Sequence, residues 1–183
     1  MNKILVAMMA WAFLGLAQAT VIKPVQLPNF NLSVSSSGTN FNNQNLSNHW
    51  TLLFFGFTHC AGICPATMRI MQQVSDSLQK QKVEVPQIVL VSVDPGRDSM
   101  KQLKEYAQKY NPKFIGTTGS EEELKPLVKA FGVLYVKTGH HIDHSASIFA
   151  INPKGEYQAL WSAPHEATKI VQDIITLEKN YQL

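Results

Sequence analysis

The residues best suited to chemistry are Cys60 and Cys64, the only two cysteines in a chain of 183 residues. They stand four apart, follow the apolar run Leu52-Leu53-Phe54-Phe55 and precede Pro65. Proline is favoured where a helix begins, because its missing N–H would be unsatisfied there anyway. The pattern places Cys60 in a strand-to-helix turn and Cys64 at the helix cap. If that turn is helical, an i, i+4 spacing puts both sulfurs on one side. Such a pair can close a disulfide or pinch a soft metal ion.

Position at a helix N-terminus also favours the thiolate, which is both nucleophile and ligand. A partly buried charge there gains about 1–2 kcal/mol, which lowers one thiol pKa by about one unit. A second thiolate beside the first is opposed unless a cation binds. A structural disulfide is the plainer reading, but so small a loop constrains little unfolded-state entropy.

The surrounding elements follow from pattern. Met1-Asn2-Lys3, an apolar run from Ile4 to Ala17 and Ala17-Gln18-Ala19 fit a secretory signal over residues 1–19, or an uncleaved anchor. The run is short for a membrane span, which needs about 20 residues. The remainder suits one domain. Export would place the cysteines in an oxidising compartment, where a working pair needs a reductant or a metal. The net charge is +3 with no basic run, so nothing points to nucleic acid.

Residues 20–29, with Pro24 and Pro28, read as an extended lead-in, and Phe30 to Val34 alternates like a strand. Residues 35–48, rich in Ser and Asn, read as loop. Trp50 to Phe55 is a buried strand entering the cysteine turn. A helix over about 65–81 follows, on which Met68 and Met71 are core residues before they are ligands. Gln87 to Val93 is a second central strand. Asp98 is a plausible N-cap for a helix through about Tyr110. Phe114-Ile115-Gly116 is a short strand, and Ser120 with Glu123 forms a capping box. Val133 to Val136 is another short strand. His140-His141-Ile142-Asp143-His144 leads into an alternating strand to Ile151, and Asn152-Pro153-Lys154-Gly155 turns it back along Glu156 to Trp161. A last helix spans about 165–180. Strand, helix, strand, helix, then hairpin and helix, is an α/β layout. With cysteines at the first strand-to-helix turn, it is a thioredoxin-like one.

The chain resembles the Sco/SenC family of copper-binding, thioredoxin-like proteins. The resemblance rests on Leu53-Phe54-Phe55-Gly56-Phe57-Thr58-His59-Cys60 through Cys64-Pro65 and on Val91-Ser92-Val93-Asp94-Pro95-Gly96-Arg97-Asp98. It continues with Phe114-Ile115-Gly116, Phe131-Gly132-Val133 and Asp143-His144-Ser145. It implies a central mixed sheet flanked by helices, with an N-terminal hairpin and a short helical turn before the first core strand, and a domain over 30–183. It implies copper, as Cu(I) or Cu(II), on Cys60, Cys64 and His144. The family usually has Pro-Asp after the first cysteine; here Ala61-Gly62 stands instead, which removes a carboxylate and loosens the turn.

Two thiolates and an imidazole form a coherent copper set, soft sulfur suiting Cu(I) and imidazole adding affinity for Cu(II). Zinc is the competitor, with His140 or His141 as a fourth ligand. His49, His59 and His165 read as surface or capping residues. The resemblance implies a metallochaperone that delivers copper to the copper-centre subunit of cytochrome c oxidase or another copper or thiol protein. The alternative is a thiol–disulfide oxidoreductase using Cys60 and Cys64. We expect a monomer, periplasmic or held at the inner membrane facing the periplasm.

Overall fold

The computed structural model describes residues 19–133 and 146–181 in full, and the backbone of 135–138 and 141–144. Apart from Ala19, the expected leader lies outside the described residues. Among the described residues no helix is long and apolar enough to cross a membrane. The chain begins with β1 (Thr20–Gln26), β2 (Asn31–Leu32), β3 (Val34–Ser35), β4 (Phe41–Asn42) and a 3-10 turn over Asn43–Leu46. There follow β5 (Thr51–Gly56), α1 (Ile63–Lys80), β6 (Gln87–Ser92), α2 (Met100–Gln108), β7 (Ile115–Thr118) and α3 (Glu121–Ala130). The chain closes with β8 (Tyr135–Thr138), β9 (His141–His144), β10 (Ile148–Ile151), β11 (Glu156–Trp161) and α4 (Ala167–Tyr181).

Every residue of β5 is buried, and so is β6 after Gln87. A strand with no solvated face needs partners on both edges and cover on both sides. β5 finds β6 in parallel on one edge and β10 antiparallel on the other. The full sheet runs β1-β11-β10-β5-β6-β7-β3, parallel from β5 to β7 and antiparallel elsewhere. α1 packs against α4, and α2 against β7. That approach is close: a Cβ on Gly116 would lie 2.6 Å from the Leu103 carbonyl oxygen. Phe55, Phe131, Phe149 and Tyr157 form one aromatic cluster, with Phe131–Phe149 centroids 4.8 Å apart.

Several local expectations change. Residues 20–26 are a strand, paired with β11 at the sheet edge. Pro24 is tolerated there because an edge strand does not need its N–H, and the register shifts between Val21 and Val25. The strand expected over 30–34 divides at Ser33, whose hydroxyl donates to Glu123 Oε2 at 2.7 Å. Before it, Leu32 pairs with Phe41; after it, Val34 joins β7. Within the Ser/Asn-rich stretch, Asn42 and Asn45 cap the 3-10 turn reciprocally. α2 is capped by Ser99 with Gln102, not by Asp98. The strand expected over 133–136 is β8, shifted to 135–138 and paired with β9.

Candidate metal centre

β5 ends at Gly56, and Phe57-Thr58-His59-Cys60-Ala61-Gly62 carries the chain to α1 at Ile63. Pro65 is the third residue of α1, so its missing N–H falls among the orphan amides of the first turn. Gly62 is the N-cap and has no side chain to offer. The sulfur of Cys60 takes that place: the Cys64 amide donates to Cys60 Sγ at 3.5 Å. The turn thus brings the two cysteines together, both as thiols. They are not equivalent. Cys60 is half-buried, while Cys64 is 0% exposed and belongs to the core with Met68 and Met71.

That burial reverses the electrostatic expectation for Cys64. Its thiol is held well above the ordinary range, first by burial, then by its hydrogen bond with Cys60, while a hydrogen bond with the Phe57 backbone works the other way. Desolvation disfavours the charged form more than a helix N-terminus favours it. On α2, burial and then Tyr110 raise the Tyr106 phenol, and Cys64 and Cys60 are near enough to add to it. Tyr106 packs edge-on against Tyr110, with ring centroids 5.7 Å apart.

Asp98 is the residue that sequence reasoning placed wrongly. It is 2% exposed and accepts from the Thr58 amide at 2.9 Å, Thr58 Oγ1 at 2.5 Å and Ser92 Oγ at 2.5 Å. It also faces His59 Nδ1 at 3.2 Å. The loop after β6 is thereby fastened to the turn that carries Cys60. Asp94, from the same loop, pairs instead with Arg97, whose guanidinium lies 5.7 Å from the Phe57 ring centroid. The contact to Thr58, forty residues away, leaves no local trace in the sequence.

The His144 side chain lies outside the described residues. Its backbone is in β9, paired with Tyr135. β10 enters the sheet at Ile148 opposite Phe54, so the segment before β10 leaves at the end of β5 where the cysteine turn begins. That segment is pinned by His165, whose Nε2 lies 2.5 Å from the Ala146 carbonyl oxygen and whose burial favours the neutral ring. His140 and the side chain of His141, considered as zinc ligands, also lie outside the described residues. Ala61, Gly62 and Ile63 are exposed, so the rim of the thiol pair is uncharged where the family usually has Asp. Among the described residues, no three His, Cys, Asp or Glu side chains are assembled to hold a metal ion.

A mixed sheet flanked by helices, with a thiol pair at the turn from a central parallel strand into a helix, defines a thioredoxin-like protein. The chain belongs to the SCO1/SenC family, whose model matches residues 23–179. It is 30% identical over 154 residues to the mitochondrial Protein SCO1 homolog 1 of Arabidopsis thaliana, covering 81% of this chain but only 46% of that relative. Among solved structures, the copper-bound ScoI of Arabidopsis thaliana superposes with a TM-score of 0.79 at 30% identity, covering 84% of this chain and 98% of that one. Yeast Sco1 with copper bound superposes at 0.77 and 27% identity, covering 85% and 90%.

Proposed function

We propose that this protein binds copper as cargo through Cys60, Cys64 and His144 and passes it to a thiol-bearing acceptor, the copper-centre subunit of cytochrome c oxidase being the foremost candidate. The observation that carries the reading is the unequal thiol pair. Cys60 is half-buried at the turn, and Cys64 is fully buried where a lone negative charge is opposed. A buried thiol of that kind ionises when a cation arrives to share the charge, which couples deprotonation to metal binding. Two sulfurs and one imidazole suit copper in either oxidation state, and solved relatives at 30% and 27% identity carry copper. Three ligands leave the ion open to an incoming thiolate, so exchange proceeds without a naked ion. Cys60 is the ligand exchanged first and Cys64 the last to leave. The protein works outside the cytoplasm, facing the periplasm.

A second reading, thiol–disulfide exchange, is favoured by the same asymmetry. An accessible Cys60 would attack an acceptor disulfide and Cys64 would resolve the mixed disulfide. Its weakness is the buried Cys64 thiol, which yields few thiolates at neutral pH without a metal. Anaerobic Cu(I) titration of the reduced chain against a competing chelator tests the copper reading. One tightly held copper is expected, lost in Cys60→Ser and in Cys64→Ser. His144→Ala should weaken Cu(II) more than Cu(I) and cripple metallation of an acceptor while sparing disulfide reduction. A chain that takes no copper refutes the reading. A His144→Ala chain that metallates its acceptor normally favours the reductase.

A further inference from the structure

His59 immediately precedes Cys60, and its ring is 43% exposed. Its Nδ1 lies 3.2 Å from Asp98 Oδ1 and 3.1 Å from Thr58 Oγ1. Thr58 Oγ1 donates its hydrogen to Asp98 Oδ1, so toward the imidazole it is an acceptor. Both neighbours of Nδ1 accept, and Nδ1 therefore carries a hydrogen. In the neutral ring this leaves the lone pair on Nε2. Asp98 is itself locked, since Oδ2 accepts from the Thr58 amide and from Ser92 Oγ. Among the described partners of Asp98, His59 is the exposed one. A carboxylate behind one ring nitrogen is the arrangement that orients a metal-binding histidine and raises its basicity at the other.

We propose that His59 is a landing ligand for copper, oriented by Asp98, which takes the ion on Nε2 and hands it to Cys60 Sγ. The proposal rests on the copper reading above and adds a residue to it. The hand-over is ligand exchange without change of oxidation state. The Nε2–Cu bond breaks as the Cys60 Sγ–Cu bond forms, and the thiol proton leaves to water. His59, Cys60 and Cys64 do not converge on one point in this structure. His59 thus acts before the sulfurs hold the ion, not as a further resident ligand. His59 and Cys60 are consecutive residues of the turn between β5 and α1.

The test is stopped-flow capture of Cu(I) by the reduced full chain from a coloured chelator complex, without oxygen. His59→Ala should slow capture about tenfold and leave the final partition of copper between protein and chelator unchanged. Asp98→Asn keeps an oxygen for the Thr58 amide and Ser92 but turns an NH₂ toward Nδ1. It should move the ring hydrogen to Nε2, visible by ¹⁵N NMR of the imidazole, and slow capture similarly. Equal capture rates in wild type and His59→Ala overturn the landing role while leaving the copper reading in place. A final partition that falls in step with the rate also overturns it, because that marks a brace for the turn. A reversed tautomer with unaltered capture does the same. His59 is exposed, so His59→Ala reports even where Asp98→Asn folds poorly. A wild-type chain that captures no Cu(I) refutes the copper reading itself.

Discussion

Gly56 closes β5 directly beneath the thiols, and its replacement by alanine probes how tightly Cys64 is seated. A Cβ at this position would lie 2.7 Å from Phe54 Cε1, 3.0 Å from Cys64 Sγ and 3.2 Å from Leu90 Cδ1. Each of these neighbours is 0% exposed, so none has an open side to move toward. Overpacking a closed core costs about 1–3 kcal/mol. Against this, Gly→Ala recovers about 0.4–1 kcal/mol by restricting the unfolded chain. The expected result is a net loss of about 1 kcal/mol, read as a fall in Tm of about 2–4 °C. Relief of the strain moves the Cys64 sulfur, so Cu(I) affinity should fall about tenfold, the scale seen when support around a ligand is disturbed. Thermal unfolding of the reduced apo chain and chelator competition measure the two effects. In a Cys64→Ala background one of the three contacts is gone, and the Gly56→Ala penalty should shrink. A Gly56→Ala chain with unchanged or raised Tm would refute the claim that Cys64 Sγ is wedged against the strand.

Burial raises the folded-state pKa of Cys64 above its ordinary value of 9.0, so the folded chain keeps this proton where the unfolded chain gives it up. Stability of the reduced apo chain is therefore full below pH 9.0 and falls as pH rises beyond it, by up to about 1.4 kcal/mol per unit. Denaturant unfolding at stepped pH should show this slope, and Cys64→Ala should lose it. Asp98→Ala strands the half-buried Thr58 amide and the buried Ser92 hydroxyl and should cost about 3 kcal/mol, whereas Ser99→Ala loses a cap worth about 1 kcal/mol. Urea midpoints compare the two, and an Asp98→Ala loss no larger than that of Ser99→Ala would refute the tie of Asp98 to the cysteine turn.

What could be read in the chain and what could not divide along a physical line. The apolar runs of β5 and β6, the helical stripe after Pro65 and the turn at Asn152–Gly155 are local signals, and each element stands where its pattern puts it. The thioredoxin-like layout follows, because a parallel pair of buried strands joined by one helix leaves few arrangements. Errors came where a specific side-chain hydrogen bond, near or distant, overrides the pattern. Ser33 breaks a regular strand because Glu123, ninety residues on, takes its hydroxyl. Asn-rich sequence looks like loop until Asn42 and Asn45 are seen capping a turn. Asp98 fits a helix cap by spacing, yet Thr58 and Ser92 draw it into the core, and Ser99 beside it caps instead. The same limit governs the site. Position in the turn makes Cys60 the more exposed sulfur and sets Cys64 against the helix cap, but by spacing alone the macrodipole favours either thiolate. The sheet separates them: Cys64 lies over Gly56 in the core, while Cys60 remains at the turn beside His59. In the copper reading proposed above, Cys60 receives the ion and Cys64 retains it, a division that the burial of Cys64 supports.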